Sequence, residues 1–291
     1  MSTTTPGGCR RRRSAQAAIS LACAVLVLTA GGCTTTARST TTPAPSGTPA
    51  SAPPPVRTTH DIPADLTALI LPTTGAESRG SQGLDLFAQT IGYTATRGCA
   101  RSRNVPMPEI APPLLTRFLD LPDLPLIRDH GLSTDAPADT TASTAPEGSA
   151  AAAAQDRCAA EGGAAARRFR AGYASLQGQW WRDITALRDR PAVVQAFRSF
   201  SQCLATHQVK AQDENAFFDL ADASPHDLAL ARIYAQCMVP VEAVREPLRK
   251  ELRTFFAAHH SGELNTIRHS LVPGIRESER TYGIRIAFPA S

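Results

Sequence analysis

Two stretches of this sequence decide its fold: residues 191–204 read PAVVQAFRSFSQCL, and residues 225–238 read PHDLALARIYAQCM. An arginine, an aromatic residue, Gln, Cys and a large aliphatic residue recur at the same distances from the proline, 34 residues apart. Proline is tolerated in the first turn of a helix, and the apolar residues that follow are spaced to line one helical face. The repeat therefore predicts two similar helices, each with a cysteine near its end. It indicates an architecture but no reaction and no ligand.

The apolar spacing elsewhere predicts an all-α fold, an irregular helical bundle. Further helices are expected over residues 84–99, 164–187, 241–259 and 264–275, with a short one over 114–119. Pro240 and Pro247 predict a kink or a short break, and the tail at Pro289 is expected to fray. Trp180 should face the core, and Trp181 should be more exposed. An exposed Trp can stack on a sugar ring, although packing is its commoner role.

The N-terminus has the charge order of an export signal. Arginines at 10–13 precede an apolar run over residues 17–28, which is too short to span a bilayer. Small residues at 30–32 then precede Cys33, which resembles the bacterial lipobox, whose cysteine receives a diacylglycerol before the signal is removed. We therefore predict a signal peptide over residues 1–32 and a lipidated Cys33 that holds the protein on the outer face of the cell membrane. An ordinary cleaved signal and an uncleaved helical anchor are the alternatives.

Two stretches contain too few large apolar residues to fold by themselves. Residues 33–60 are mostly Thr, Ser, Ala, Pro and Gly, so we expect a flexible tether before a helical ectodomain over residues 61–291. Residues 131–155 have a similar composition and are expected to form a disordered loop inside that domain, with the alanines at 150–154 favouring the start of a helix. A boundary between two domains is the alternative interpretation of this second stretch.

The cysteines predict a framework of two disulfide bonds. Three of the seven cysteines lie in the predicted signal or carry the predicted lipid, and the other four are Cys99, Cys158, Cys203 and Cys237. Exported chains commonly oxidise such cysteines, and four cysteines allow three pairings. The repeat favours Cys203 with Cys237, because both stand at the same height on their helices, and hence Cys99 with Cys158. The other pairings stay open, as does a metal site, although the cysteines lack the usual close ligand spacing.

Two clusters of polar side chains contain metal-ligand types. Between the repeats, acidic residues surround Phe217 and Phe218, but their spacing lacks the glycine and the terminal glutamate of an EF-hand, so we expect a solvated loop with a hydrophobic plug. The second cluster comprises His259, His260, Glu263 and His269. Ser261 and Gly262 are expected to break the helix and separate these ligands. The sequence therefore predicts no metal site and no cofactor.

Charge and motifs argue against several classes of function. The net charge is +4, and part of it belongs to the predicted signal, so the remaining chain is nearly neutral and does not favour nucleic acid as a partner. The sequence contains no G-x-S-x-G nucleophile turn, no phosphate-binding glycine loop and no H-E-x-x-H motif. We therefore predict that the protein is not an enzyme.

The lipobox, the Thr- and Pro-rich tether, the aromatic-rich helix ending at Trp180, and the segments FSQCL (200–204) and YAQCM (234–238) stand in a characteristic order. This order resembles a group of uncharacterised actinobacterial lipoproteins with paired cysteine helices. The resemblance covers residues 84–271 and implies a long C-terminal helix, but it implies no activity. The sequence departs from the group in Phe200, where Trp is common, in its shortened middle, and in the prolines of its last helices.

We therefore hold two hypotheses for the function. The first is a membrane-anchored extracytoplasmic protein that binds a cell-wall polymer or a neighbouring membrane protein, because the chain combines an anchor and a tether with no catalytic motif. The second is an extracytoplasmic hydrolase or metal-binding protein that uses the cluster at residues 259–269.

Overall fold

A computed structural model of the protein describes residues 56–107, 120–132, 145–146, 148–224 and 227–290. These residues form the predicted all-α fold, together with two short strands. The predicted signal peptide, Cys33, most of the predicted tether and the short helix expected over 114–119 lie outside the described residues.

Helices make up most of the described chain. In chain order they are α1 (Leu66–Ile70), α2 (Gly75–Ser102), α3 (Leu124–His130), α4 (Ala150–Arg170), α5 (Ala174–Ala186), α6 (Pro191–Thr206), α7 (Glu214–Asp222), α8 (Leu228–His259) and α9 (Ser261–Tyr282). A 3-10 turn over Leu187–Asp189 joins α5 to α6. The strands are β1 (Arg57–Thr59) and β2 (Phe288–Ala290).

The two strands tie the beginning of the described chain to its end. They pair antiparallel, with Thr58 opposite Pro289. The predicted fraying of the tail is therefore wrong, and so is the inclusion of residues 57–59 in the tether. The difference comes from Phe288, which is 3% exposed and packs over Gly83, where an added Cβ would lie 2.2 Å from the ring. Burial of this ring offsets the entropy lost in ordering the tail.

The single helix predicted over 164–187 is two helices. α4 ends at Arg170 and α5 begins at Ala174. Gly172 has a low helix propensity, and Tyr173 leaves the helical conformation with φ −143°. The ring of Tyr173 is buried edge-on against Phe169, with 5.8 Å between the ring centres. Tyr173 is also buried among residues of α2, α5 and α9, and this tertiary packing breaks a helix that periodicity alone makes continuous.

The two tryptophans of α5 differ as predicted. Trp180 is fully buried, and its indole N–H donates a hydrogen bond of 3.0 Å to the carbonyl oxygen of Pro72. Trp181 is half-buried and packs against the same core.

Helix α8 runs without interruption through Pro240 and Pro247. Of the two predicted alternatives, a kink or a short break, the break is therefore wrong. A proline inside a helix costs about 3 kcal/mol because it removes a hydrogen bond and crowds the preceding turn. Buried residues on the same helix, such as Val241 and Arg249, hold the segment in place through tertiary contacts that outweigh this cost. α8 ends at His259 as predicted, and His260 joins it to α9.

The alanines at 150–154 begin a helix, as predicted. Ala150 to Gln155 form the first turns of α4, and the hydroxyl of Ser149 accepts a hydrogen bond of 3.1 Å from the amide of Ala152. The high helix propensity of alanine and this N-cap explain why the end of the stretch is helical. Residues 133–144 and residue 147 lie outside the described residues.

Two large hydrophobic clusters form most of the core of the described chain, and α8 contributes to both. The first core cluster is built mainly from α1, α2, α5 and α9, with Phe256 of α8. The second core cluster is built from α6, α7 and the first half of α8. A disulfide bond between Cys203 and Cys237 links α6 to α8, and another between Cys99 and Cys158 links α2 to α4. Both disulfides match the pairing that the repeat favours.

Candidate functional site

A groove of about 400 Å³ opens beside the second core cluster, between α6 and the start of α7. We call it the Glu214 groove; Val194, Phe197 and Arg198 line it from α6, and Asp213 and Glu214 line it from the other side. Val194 is 47% exposed. The volume falls within the range of small-molecule sites.

A larger groove lies between α3 and α8, with a volume of about 650 Å³. Its charged side chains, including Arg128, Asp129 and Arg232, are exposed, and no buried acid or base lines it among the described residues. The Glu214 groove is the stronger candidate, because a buried ionisable group in a cleft is more often functional than an exposed one.

The acidic stretch between the repeats folds as helix α7, so the predicted solvated loop is wrong. Asp213 caps this helix, since its carboxylate accepts a hydrogen bond of 2.8 Å from the amide of Ala216. Phe217 and Phe218 are buried in the second core cluster, and this burial stabilises a helix of nine residues that would be marginal alone. The same turn directs Glu214 into the interior.

Glu214 and Tyr234 form a buried hydrogen bond at the groove. Glu214 is 6% exposed, and its Oε1 accepts a hydrogen bond of 2.7 Å from the hydroxyl of Tyr234. Burial raises the pKa of Glu214, against the opposing effects of the Tyr234 hydrogen bond and the charge of Arg245. Burial and the nearby Glu214 carboxylate raise the pKa of Tyr234 well above its usual value, so its hydroxyl remains a donor at neutral pH.

A buried arginine lies close to this acid. Arg245 is 2% exposed, and its Nη2 lies 3.3 Å from Oδ1 of Asp120. Its guanidinium carbon lies 5.7 Å from the ring centre of Phe197, within the range of a cation–π contact. Arg188, which also lines the groove, forms an ion pair with the same oxygen of Asp120. The acids near the base of the groove therefore lie among arginines.

The ion pairs continue along α8. They lie between the part of this helix that packs in the second core cluster and Phe256, which packs in the first. Glu242 lies 3.3 Å from Arg245 and 2.5 Å from Arg249. Arg249 is 1% exposed and also donates to the carbonyl oxygens of Thr73 at 2.7 Å and of Asp120 at 3.1 Å. Charges in such a network must be paired, because an unpaired buried charge is strongly destabilising. The network therefore fixes the position of α8 relative to the start of α2 and to Asp120.

The Glu214 groove combines apolar surface with groups that form hydrogen bonds. Val194 and Phe197 supply the apolar surface, and the amides of Gln212 and Asn215 stand beside the two carboxylates. Arg198 is exposed and makes no ion pair among the described residues. An apolar wall with a few converging polar groups is typical of ligand sites. The groove suits a ligand that presents apolar faces and hydroxyl or amide groups in alternation.

Of the ligand types considered near the C-terminus, the structure brings His260 and Glu263 together and leaves His269 apart. The rings of His259 and His260 meet edge to face at 4.9 Å, and Nδ1 of His260 lies 3.1 Å from Glu263. His269 follows His260 by nine residues, which is about 13 Å along a helix axis. Its Nδ1 is 2.7 Å from the carbonyl oxygen of Asn265 in its own helix. The helix break expected at Ser261 and Gly262 lies one residue earlier, at His260, because both of these residues belong to α9, and it does not separate His260 from Glu263.

One group of three metal-ligand side chains comes together among the described residues. Cys203, His207 and Cys237 place their donor atoms within 4.8 Å of one another, with both sulfurs joined in the disulfide. The sequence signal for this group is a cysteine followed four residues later by a histidine on the same helix face.

The sequence analysis did not predict the buried Glu214, Arg245 and Arg249 as site residues, but each has a weak signal in the sequence. Glu214 follows a capping aspartate and precedes two phenylalanines. Arg245 and Arg249 follow Val241 at steps of four residues, which places them on its buried face. An arginine at a core position of a helix indicates a buried acidic partner, but the distant Asp120 is not evident from spacing.

No protein-family model, curated protein or solved structure matches this chain. Within the described ranges, none of the helices combines the length and the apolar composition needed to cross a bilayer.

Proposed function

We propose that this protein is a lipid-anchored binding protein on the outer face of the cell membrane, and that the Glu214 groove holds a glycan of the cell envelope. The export signal and the lipobox at Cys33 support the location. The two disulfides are consistent with it, because disulfides persist mainly in exported proteins. The resemblance to actinobacterial lipoproteins supports the same compartment.

The combination of apolar and polar side chains on the surface of the groove supports a glycan as the ligand. A sugar ring has an apolar face of C–H groups and a rim of hydroxyls. Phe197 and Val194 offer the apolar contact, while Gln212, Asn215 and Arg198 offer planar groups that bond hydroxyls. The near-balance of positive and negative side chains around the groove favours a neutral polar ligand over a strongly charged one.

Retention on purified cell-wall polysaccharide tests the binding. The mature protein, extracted from membranes with detergent, should be retained, and Arg198→Ala and Asn215→Ala should each weaken binding about fivefold, as expected for the loss of one hydrogen bond. Gln195→Ala is the matched control, because this exposed α6 residue does not line the groove.

Three outcomes would contradict the proposed ligand. They are no retention of the unmodified protein, equal binding by all three variants, and crosslinking of the groove to a neighbouring membrane protein in place of the glycan. The third outcome favours the other class of partner.

Mass spectrometry tests the anchor separately. The N-terminal peptide of the protein from its native host should begin at Cys33 and carry a diacylglycerol. A chain that retains residues 1–32 with an unmodified Cys33 would overturn the proposed location, whatever the groove binds.

A further inference from the structure

The Cys203–Cys237 disulfide has a histidine beside it. His207 follows α6 directly and stands one helical turn after Cys203, while Cys237 comes from α8. The two sulfurs and one imidazole nitrogen all lie within 4.8 Å of one another. Two thiolates and an imidazole form a common ligand set for Zn²⁺, with metal–ligand distances of about 2.0–2.3 Å.

The second disulfide provides an internal comparison. Cys99 and Cys158 are both buried, and no third ligand accompanies them among the described residues. Among the described residues, a neighbouring histidine therefore accompanies only the Cys203–Cys237 disulfide.

The three ligands differ in exposure, so an ion can reach the site from solvent on the side of His207. Cys237 is buried, Cys203 is half-buried and His207 is exposed. An ion that reached the sulfurs would keep one side toward solvent, where a water molecule can fill the fourth position of a tetrahedral Zn²⁺.

The packing around the disulfide does not depend on the sulfur–sulfur bond alone. Phe200 and Leu204 of α6 and Met238 of α8 are buried in the second core cluster on either side of the two cysteines. The Cα atoms of Cys203 and Cys237 are 5.5 Å apart. Core packing should hold both thiols near His207 after reduction, so that much of the ordering cost of a metal site is already met by the fold.

We propose that reduction of the Cys203–Cys237 disulfide converts Cys203, Cys237 and His207 into a binding site for a thiolate-preferring divalent ion of the Zn²⁺ class. A dithiol supplies two electrons and two protons, becomes a disulfide itself and leaves two cysteine thiols. Binding of the ion then releases these two protons and forms two sulfur–metal bonds and one nitrogen–metal bond. The site is independent of the glycan groove, and oxidation of the cysteines switches it off.

Cobalt binding to the full chain tests the proposal. The protein is reduced with a phosphine, freed of the reductant under inert gas, and titrated with Co²⁺, whose thiolate charge-transfer band reports sulfur ligation. We expect one equivalent of Co²⁺ to bind, Zn²⁺ to displace it, and the unreduced protein to show no band.

Three variants identify the ligands. His207→Ala should weaken Co²⁺ binding at least about tenfold, whereas His259→Ala, another exposed histidine, should leave it unchanged. The double variant Cys203→Ser with Cys237→Ser retains the other cysteine pair and should show no band.

Several results would overturn the site. They are the absence of a band in the reduced protein, equal affinity in His207→Ala, and a band that persists in the double serine variant. A reduced chain that loses its helical circular dichroism before cobalt is added would also overturn it, because the packing would then not hold the ligands together.

Discussion

The hydroxyl of Tyr234 donates a hydrogen bond of 2.7 Å to the carboxyl group of Glu214, and it joins the second repeat helix to α7 beneath the candidate groove. Tyr234 stands at the repeat position that Phe200 holds in the first copy. The two rings pack edge to face, 5.9 Å apart, so the aromatic position of each copy meets its counterpart in the core. Of these two rings only that of Tyr234 carries a hydroxyl, and this hydroxyl is the hydrogen-bond donor to the buried Glu214.

Removal of that hydroxyl should destabilise the protein. Tyr234→Phe leaves the buried carboxyl of Glu214 without its donor, and we expect the free energy of unfolding to fall by about 1–2 kcal/mol. Urea unfolding followed by circular dichroism measures the change. Tyr282→Phe is the control, because the hydroxyl of this half-buried residue makes no hydrogen bond within the described part of the chain. An equal loss in both variants would show that the hydrogen bond is not the cause.

The raised pKa of Glu214 predicts how stability changes with pH. The folded protein holds this proton more tightly than the unfolded chain does, because burial disfavours the carboxylate. The resulting stabilisation is fully present below the unfolded pKa, which is about 4.3, and is lost as the pH rises through the folded pKa.

Glu214→Gln isolates this effect, because glutamine keeps an acceptor for Tyr234 but has no proton to lose. The loss of unfolding free energy between about pH 4 and about pH 7 should be smaller in this variant than in the unmodified protein. Denaturant titrations at a series of pH values measure it, with Asp219→Asn, an exposed acid of α7, as the control. Identical pH profiles for Glu214→Gln and the unmodified protein would rule out a proton held by burial.

Two adjacent residues of α8 should respond very differently to the loss of charge. Arg249→Met leaves Glu242 without its closest partner in the interior, and we expect a loss of about 3–5 kcal/mol of unfolding free energy. Lys250→Ala removes an exposed pair with Glu246 and should cost less than about 1 kcal/mol. Thermal or urea unfolding of both variants gives the comparison. Similar small losses would mean that water reaches the network and screens it.

The contact between α2 and α4 depends on one glycine of a neighbouring pair. A Cβ at Gly162 would lie 1.9 Å from the hydroxyl oxygen of Thr96 and 2.3 Å from the carbonyl oxygen of Gly92. Gly162→Ala should therefore push the helices apart and cost about 1–3 kcal/mol.

The adjacent Gly163 is a matched control, because an added Cβ meets only the flexible end of Arg167 at 3.2 Å. Gly163→Ala should stabilise α4 by about 0.5–1 kcal/mol through helix propensity. Measurement of both unfolding free energies tests the pair, and a stabilising Gly162→Ala would contradict the close approach of the two helices.

Much of the fold was predictable because the repeat and the apolar periodicity are local. The start of α6 at Pro191, the end of α8 at His259, the burial of Trp180 and the favoured cysteine pairing all follow from spacings of a few residues or from the comparison of two copies. The candidate groove was not predicted, because Glu214 lies in a stretch whose acidic composition indicates a solvated loop.

The sequence by itself determined the helical class and the sites of most helices, since these depend on periodicity and on residues a short distance apart in the chain, and its repeat favoured the two disulfides that form. Only the tertiary structure decided that α8 continues through its prolines, that the tail pairs with β1, and that Glu214, Tyr234 and Arg245 meet beneath one groove. The physical reason is that burial is a property of the whole packed chain. It supplies the free energy that overrides a proline or orders a tail, and it removes from water charges whose partners, such as Asp120 and Arg245, lie far apart in the sequence.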